Sequence, residues 1–251
     1  MVKRLVSGLL RRFGYQISNL RHTPRAFLRE ENLLKLNFDF VVAQHLLETN
    51  DFFFIQVGAF DGVQADPIRK FILRHNWKGV LIEPQEKAFE LLKQNYADQP
   101  QLTFKNVAIS DRNEPRTFYA VAEGKVPEWC EGLASFDREV ILKHREMVAG
   151  LEDLIRTEEI PCVTFEELIG EFKTDKIDLL QLDAEGYDAK LIQMFPFDVV
   201  RPTIVHFERK HLSPEALDGC LDRLLQYDYK IANDGAEDLV AYCADQRSTR
   251  E

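Results

Sequence analysis

The sequence predicts an α/β domain in which a mostly parallel sheet carries helices on both faces. Short apolar runs alternate with segments of helical periodicity over about residues 50–245, and this alternation is typical of parallel strands joined by right-handed crossovers. The last two apolar runs flank the turn Asn233-Asp234-Gly235, which predicts an antiparallel pair at the edge of the sheet. We therefore expect one domain over residues 31–251.

The predicted elements follow one another from residue 33 onwards. Residues 33–49 have the pattern of a buried helix, and the strand Phe52–Val57 precedes a helix with Pro67 in its first turn. The later predicted elements are the strands Gly79–Ile82, Leu102–Phe104, Thr117–Val121, Ile177–Leu182, Thr203–Glu208, Tyr229–Ile231 and Asp238–Tyr242, and helices over 88–92, 165–169, 188–194 and 214–227. Residues 122–160 show no clear period, and an insertion of this length is usually functional or mobile.

The composition restricts the class of protein. The 251-residue chain has a net charge of −10, but residues 1–29 hold seven basic and no acidic residues, so the remainder carries 25 basic against 42 acidic side chains. Such an acidic body argues against a broad nucleic-acid-binding face. The four cysteines are far apart, without Cys-x-x-Cys or a histidine at ligand spacing, so we expect neither a zinc site nor disulfides, and a reducing cytoplasm fits best.

Residues 1–30 form a separate basic, amphipathic extension. Leu5, Leu9 and Phe13 recur at helical spacing among basic residues, a pattern that could place the segment on an anionic membrane surface. It could equally dock on its own domain or be a loose terminus. Arg11-Arg12 interrupts the apolar stretch, which argues against a cleaved signal peptide. We expect a cytoplasmic protein with peripheral membrane contact through residues 1–29 as one alternative, and the sequence predicts no oligomeric state.

Two features after the first two strands predict a nucleoside ligand. Gly58 and Gly62 punctuate the turn after strand one, where a helix N-terminus and a close backbone approach favour ligand binding. Glu83 ends strand two, where a carboxylate can accept hydrogen bonds from a ribose diol. Asp61 lies in the glycine turn and would repel a pyrophosphate but attract the cationic sulfonium and ammonium of S-adenosylmethionine. This turn therefore favours S-adenosylmethionine over NAD.

Several motifs resemble one known family. IQVGAFDG, VLIEP, NVAISD and LLQLDAEGYDAKLI followed by HFERKHLS are similar to the FkbM family of methyltransferases. These are class I S-adenosylmethionine-dependent enzymes that act mainly on hydroxyl groups of sugars, polysaccharides and polyketides. The resemblance implies a Rossmann-like, seven-stranded sheet of order 3-2-1-4-5-7-6 with strand seven antiparallel.

The resemblance also implies roles for individual residues. It places the glycine turn against the methionine part of the cofactor, Glu83 on the ribose, and the segment after strand three along the adenine. Asp183 falls beside the transferred methyl group. Gln56 departs from the family pattern, in which many members have an acid. The cofactor-binding residues implied in this way are Gln56, Gly58, Ala59, Asp61, Gly62, Glu83, Pro84, Asn106, Val107, Ala108, Ser110 and Asp111.

A second group of polar residues could perform the chemistry. Methylation of an alcohol needs a general base or a metal ion that lowers the hydroxyl pKa. Asp183 and Glu185, two apart after one strand, and His206 and Glu208 on the next, are expected to converge on one crevice. One hypothesis has His206 or an acid accepting the proton. The other has Asp183, Glu185 and Glu208 binding Mg²⁺.

Structural roles remain open for the same residues. Glu185 and Asp188 could cap the following helix, and His206 could be a hydrogen-bonded core histidine. His211 is expected at the surface, in reach of the rim of the same crevice. On the acceptor side we favour Ser135 and Phe136 from the insertion, ahead of Trp129 and His144. These four residues of the insertion could instead only fill the underside of a loop.

The leading function is methylation of a hydroxyl on a sugar, polysaccharide or glycolipid precursor. An NAD-linked sugar dehydrogenase or epimerase is a second hypothesis, because it would share the sheet and Glu83. Such an enzyme needs a G-x-G-x-x-G turn and usually a Tyr-x-x-x-Lys, and this sequence has neither. A nucleotide-fold module that binds a ligand without turnover is the third hypothesis.

Overall fold

A computed structural model describes residues 37–122, 126–127, 130, 133–172, 174 and 176–243. The predicted N-terminal extension and Trp129 lie outside these residues. The helices are α1 Phe38–Leu46, α2 Arg69–His75, α3 Glu86–Asn95, α4 Arg138–Leu142, α5 Leu151–Leu154, α6 Phe165–Phe172, α7 Asp188–Met194 and α8 Pro214–Gln226. The strands are β1 Phe53–Val57, β2 Lys78–Ile82, β3 Leu102–Lys105, β4 Ala108–Ile109, β5 Arg116–Val121, β6 Ala134–Ser135, β7 Ile155–Ile160, β8 Cys162–Val163, β9 Leu179–Leu182, β10 Ile204–Glu208, β11 Lys230–Asp234 and β12 Asp238–Tyr242.

Seven strands form the main sheet. Their spatial order is β3-β2-β1-β9-β10-β12-β11, which is 3-2-1-4-5-7-6 when the sheet's strands are counted along the chain. β12 runs antiparallel to both of its neighbours, and the other neighbouring strands are parallel. The fold prediction is therefore confirmed, including the antiparallel pair around Asn233-Asp234-Gly235.

The two faces of the sheet pack against two helical layers. Alternate residues of a strand point to opposite faces, so Phe54 and Leu179 pack with apolar side chains of α1, α2 and α3. Ile55 and Leu180 point the other way and pack with α6, α7 and α8. The central strands are almost fully buried because both faces are covered.

The segment between β3 and α6 is more regular than the sequence predicted. β5 pairs antiparallel with β6 and with all six residues of β7, and β4 pairs with β8. The sequence IRTEEI of β7 gave little strand signal because half of its residues are charged and only its last residue, Ile160, is fully buried. This three-stranded sheet contributes to the wall of the cavity described below.

One helix begins later than expected. Pro67 precedes α2, whose first residue is Arg69, and the Asp66 carboxylate accepts the Ile68 and Arg69 N–H groups at 2.9 and 3.3 Å. The Asp66 carboxylate therefore satisfies two N–H groups at the start of α2, although the N-cap residue itself is Ile68. Within the described residues, no helix is long and apolar enough to cross a membrane.

Candidate active site

A cavity of about 320 Å³ opens where β1, β2 and β9 end. The carboxyl ends of parallel strands are the usual ligand site in open α/β sheets. The cavity is lined by Val57, Gly58, Phe60, Gln64, Ala65, Glu83, Pro84, Gln85, Val107, Ala108, Ile109, Phe118, Ala134, Phe136, Asp183, Ala184, Glu185, Tyr187 and Leu191. The cavity therefore joins two of the predicted catalytic carboxylates, Asp183 and Glu185, to five of the predicted cofactor residues, which are Gly58, Glu83, Pro84, Val107 and Ala108.

The turn after β1 is fixed by close backbone packing. Gly58 has a φ of 80°, and a Cβ on it would lie 1.7 Å from the Asp183 carbonyl oxygen. The Gly58 and Ala59 N–H groups donate to the Ile82 carbonyl at 3.0 and 3.1 Å. Only glycine fits this position, because the turn passes directly over the backbone that follows β9.

Glu83 lies at the cavity wall and is buried. One carboxylate oxygen accepts the Phe60 N–H and the other the Gln85 N–H, each at 2.8 Å. Burial raises the pKa of Glu83 to about 7, although both N–H donors oppose this rise. Each oxygen has accepted one hydrogen bond and retains a lone pair for a hydroxyl donor.

Other residues predicted in the glycine turn support it without lining the cavity. The Asp61 carboxylate accepts the Val63 and Gln64 N–H groups at 2.8 and 2.9 Å, so it closes the turn. Gly62 packs under the Tyr96 ring. Gln56 is buried, and its amide lies 3.4 Å from Asp66. The expected contact between Asp61 and the cationic part of the cofactor is therefore not supported by its position.

The predicted adenine segment divides in the same way. Val107 and Ala108 line the cavity, whereas the Asn106 amide donates to the Glu83 and Pro84 carbonyls at 2.9 and 3.0 Å. Asn106 thus holds the turn that presents Glu83. Two further predicted residues lie behind the wall, where the buried Ser110 hydroxyl donates to the exposed Asp111 carboxylate.

Asp183 is the exposed carboxylate at the cavity floor. Its N–H continues the β1–β9 ladder by donating to the Val57 carbonyl at 3.0 Å. Desolvation by the surrounding protein raises the pKa of Asp183 well above its usual range, and the negative charges of Asp188 and Glu185 add to the rise. A carboxylate with a raised pKa is a stronger base than an ordinary aspartate.

The sequence suggested that Asp188 could cap the following helix, but the structure shows no such cap. α7 has no side-chain cap, and the fully buried Asp188 accepts the Ala184 N–H at 3.2 Å from within the first helical turn. Burial raises its pKa to about 7. Asp188 thus ties the helix back to the turn that carries Asp183 and Glu185.

Glu185, Glu208 and His211 converge next to the cavity. His211 Nε2 lies 3.2 Å from a Glu185 oxygen and 3.9 Å from a Glu208 oxygen. Burial raises the pKa of Glu208 to about 9, and the negative charges of Asp183 and Glu185 contribute to this rise. The surface position expected for His211 is wrong, since its side chain is only 8% exposed. The strand geometry assumed for Glu185 is also wrong, because its φ is 47° and the chain turns there.

His206 does not join the carboxylates, which corrects the expected crevice. It pairs with Gln181 across β10 and β9, and its Nδ1 lies 2.8 Å from the Gln181 side-chain oxygen. Its Nε2 lies 3.1 Å from Asp234, and its ring packs on Phe38 with centroids 4.3 Å apart. Alternation along β10 directs the ring to the α1 layer, so His206 is a hydrogen-bonded core residue.

The opposite wall of the cavity is aromatic. Phe136 packs edge-on against Phe118 and tilted against Tyr187, with centroids 5.1 and 4.9 Å apart. Arg116 lies over the Phe136 ring at 4.4 Å and donates to the Tyr187 hydroxyl at 3.0 Å. Ser135, the other predicted acceptor residue, is buried, and its hydroxyl lies 3.4 Å from the Glu185 carbonyl.

Sequence reasoning missed part of this site. Tyr187 lies within the quoted LDAEGYDAK motif and Phe118 within a predicted strand, so the signals were present but nothing showed that they face one cavity. His211 follows His206 by five residues on a separate loop, and only the fold brings it to Glu185. His144 packs on the His211 ring at 5.7 Å and is not among the described residues that line the cavity.

Comparisons with solved structures give distant similarities. An FkbM methyltransferase from Methylobacillus flagellatus KT has 14% identity and a TM-score of 0.48, and the match covers 77% of this chain and 44% of that one. The N-terminal domain of human METTL16 in complex with SAH has 14% identity and a TM-score of 0.44, with 97% and 82% covered. Precorrin-6y C5,15-methyltransferase from Geobacter metallireducens GS-15 has 11% identity and a TM-score of 0.40, with 81% and 86% covered.

The family comparison is more direct. The chain spans less than half the length of the M. flagellatus FkbM structure, and no curated protein matches its sequence significantly. The Methyltransferase FkbM domain, however, matches residues 56–231, which include the glycine turn, Glu83, Asp183 and His211. Because this match covers more than half of the sequence, the chain belongs to the FkbM methyltransferase family.

Proposed function

We propose that this chain transfers a methyl group from S-adenosylmethionine to a hydroxyl group of a sugar, polysaccharide or glycolipid precursor. The observation that carries the proposal is one continuous cavity with Gly58 and Glu83 at one part of its wall and Asp183 at another. Family membership supports S-adenosylmethionine-dependent methylation in general. The hydroxyl acceptor is inferred from the side chains around Asp183.

The cofactor part of the cavity fits a nucleoside with a charged amino-acid tail. The Glu83 oxygens retain lone pairs for ribose hydroxyls, and at Gly58 the backbone has no side chain to keep a ligand away. Val107, Ala108 and Ile109 provide an apolar wall that suits an adenine ring. S-adenosylmethionine, when bound, supplies an electrophilic methyl group on a sulfonium.

Asp183 is the best-placed general base. An acceptor hydroxyl must lose its proton as its oxygen attacks, with the reacting atoms about 3 Å apart. Asp183 faces the cavity, and its raised pKa equips it to accept that proton. Glu185 also lines the cavity and is the alternative base. His206 is excluded from this role by its position in the core.

The aromatic wall supports a ring-shaped acceptor. Phe118, Phe136 and Tyr187 present rings to the cavity beside Asp183, and aromatic rings together with a few polar groups are typical of sites for small organic ligands. A sugar ring on Phe136 would bring a hydroxyl towards the carboxylates. A glycolipid acceptor would also suit the basic segment 1–29, through which we propose peripheral contact with the cytoplasmic side of a membrane.

The test is a transfer assay with methyl-labelled S-adenosylmethionine and a panel of free, nucleotide-linked and lipid-linked sugars. We expect labelled O-methyl sugar from the wild type. Asp183→Asn should still bind S-adenosylmethionine but lose transfer about 100-fold or more, whereas Asp98→Asn, at an exposed position, should behave as wild type. Unchanged transfer by Asp183→Asn would remove this residue from the mechanism. Label on nitrogen or on protein alone would refute the hydroxyl acceptor.

A further inference from the structure

The group Glu185, Glu208 and His211 combines three metal-ligating side chains from two chain segments. One ligand atom from each lies within 4.8 Å of the other two. Glu185 lies in the turn after β9, Glu208 ends the neighbouring parallel strand β10, and His211 follows three residues later. The fold, rather than a local sequence motif, therefore creates the group.

The measured separations are close to those of a metal site. Metal–ligand bonds of about 2.1 Å place two ligand atoms about 3.0 to 3.4 Å apart when the angle at the metal is about 90 to 110°. The His211–Glu185 separation of 3.2 Å lies in this range. The His211–Glu208 separation of 3.9 Å corresponds to a wider angle of about 135° for the same bond length. The Glu185 and Glu208 ligand atoms lie within 4.8 Å of each other, and three bonds of about 2.1 Å would require them to lie within about 4.2 Å.

A second, independent observation points to a ligand at this position. The second carboxylate oxygen of Glu208, Oε2, is buried and has no hydrogen-bond partner. The Glu208 side chain is 12% exposed and the His211 side chain 8% exposed. A buried carboxylate oxygen without a partner costs free energy, and the Glu185 carboxylate, whose ligand atom lies within 4.8 Å of that of Glu208, increases this cost by like-charge repulsion. A cation between the three side chains would remove both penalties.

We propose that Glu185, Glu208 and His211 bind one divalent transition-metal ion. Two carboxylates with one imidazole suit Mn²⁺, Fe²⁺ or Zn²⁺, whereas Mg²⁺ prefers oxygen ligands alone. The ligand set therefore differs from the Mg²⁺ set predicted from the sequence, since His211 takes the place of Asp183. Asp183 remains available as the base.

The position of this metal site suggests its role. Glu185 both belongs to the group and lines the cavity, so a bound ion would lie beside the acceptor. An acceptor hydroxyl on such an ion would have a lowered pKa. This role rests on the proposed methyl transfer, whereas the binding of the ion does not.

The test is a Mn²⁺ titration of the chelator-treated 251-residue chain, followed by electron paramagnetic resonance. We expect one Mn²⁺ per chain, and pulsed spectra should show coupling to one imidazole nitrogen. His211→Gln should remove the nitrogen coupling, and both His211→Gln and Glu208→Gln should weaken Mn²⁺ binding by about tenfold or more. The exposed histidine variant His75→Gln is the matched control and should bind as wild type.

Three results would overturn the site. These are no Mn²⁺ binding by the wild type, no nitrogen coupling in its spectrum, or coupling that persists in His211→Gln. The first two need only the wild-type protein and do not depend on a variant that folds. Titration of the same samples with S-adenosylmethionine separates this outcome from a failure of the proposed function, because cofactor binding does not require the metal.

Discussion

Replacement of Asp188 by asparagine should change how the stability of the protein depends on pH. Asp188 is fully buried, and its carboxyl group accepts the Ala184 N–H at 3.2 Å. Asparagine has nearly the same shape and can accept the same bond, but it carries no charge. The variant therefore mimics the protonated wild type at every pH.

The size of the effect follows from the raised pKa. Burial raises the pKa of Asp188 from 3.8 to about 7, so the folded state holds the proton more tightly than the unfolded state. The stability is fully present below the unfolded pKa and is lost as pH rises towards the folded pKa. The loss is about 1.4 kcal/mol per pH unit within that window, or about 2 kcal/mol between about pH 5 and pH 7. Above about pH 8 the difference should be constant.

Urea unfolding of the wild type and Asp188→Asn at several pH values measures this difference. We expect the unfolding free energy of Asp188→Asn to exceed that of the wild type increasingly from about pH 5 to pH 7, by about 2 kcal/mol over that range. A constant difference over this range would show that Asp188 is ionised throughout. The charge distribution described for the cavity floor would then be wrong.

Three further substitutions test the turn, the opposite end of the sheet and the acceptor wall. Gly58→Ala should lower the unfolding free energy by about 3 kcal/mol or more, because its Cβ would meet the Asp183 carbonyl; Gly235→Ala, at φ 70° in open space, should lose only about 1 kcal/mol in the same urea titration. Asp178→Asn should lower the unfolding free energy by about 2 kcal/mol at neutral pH, because hydrogen bonds from His45, Lys176 and a backbone N–H stabilise the Asp178 carboxylate and lower its pKa. The difference from the wild type should shrink as pH falls below about 4, where the carboxylate becomes protonated. Phe136→Ala should raise the KM for the acceptor and leave the affinity for S-adenosylmethionine unchanged. If the apparent affinities for the acceptor and for S-adenosylmethionine fell by the same factor, the result would contradict an acceptor-side role.

Much of the fold was predictable because the main sheet has strong local signals. Apolar strands such as Phe53–Val57 are buried on both faces and stand out from the helices between them. β7 could not be found in this way, because a half-exposed strand rich in glutamate resembles a loop. Its pairing with β5 is decided by tertiary contact rather than by its own pattern.

The site was predictable where residues follow one another directly and unpredictable where geometry decides. Gly58, Glu83 and Asp183 each directly follow the last residue of a strand, so their convergence follows from the topology. The spacing of His206 and Glu208 suggested a shared face, but the chain turns after β10 and brings His211 to the carboxylates instead. Similarly, Asp61 and Asn106 match positions expected to touch the cofactor, yet their hydrogen bonds shape the turns that carry the lining residues.

The central claim is that S-adenosylmethionine binds in the cavity through Glu83. The most direct test is a calorimetric titration of the wild type, Glu83→Ala and the exposed neighbouring acid variant Glu86→Ala with S-adenosylmethionine. We predict one site per chain, an affinity that falls by about tenfold or more in Glu83→Ala, which is about 1.4 kcal/mol, and no change in Glu86→Ala. No binding by the wild type, or equal affinity in Glu83→Ala, would contradict the assignment of this cavity.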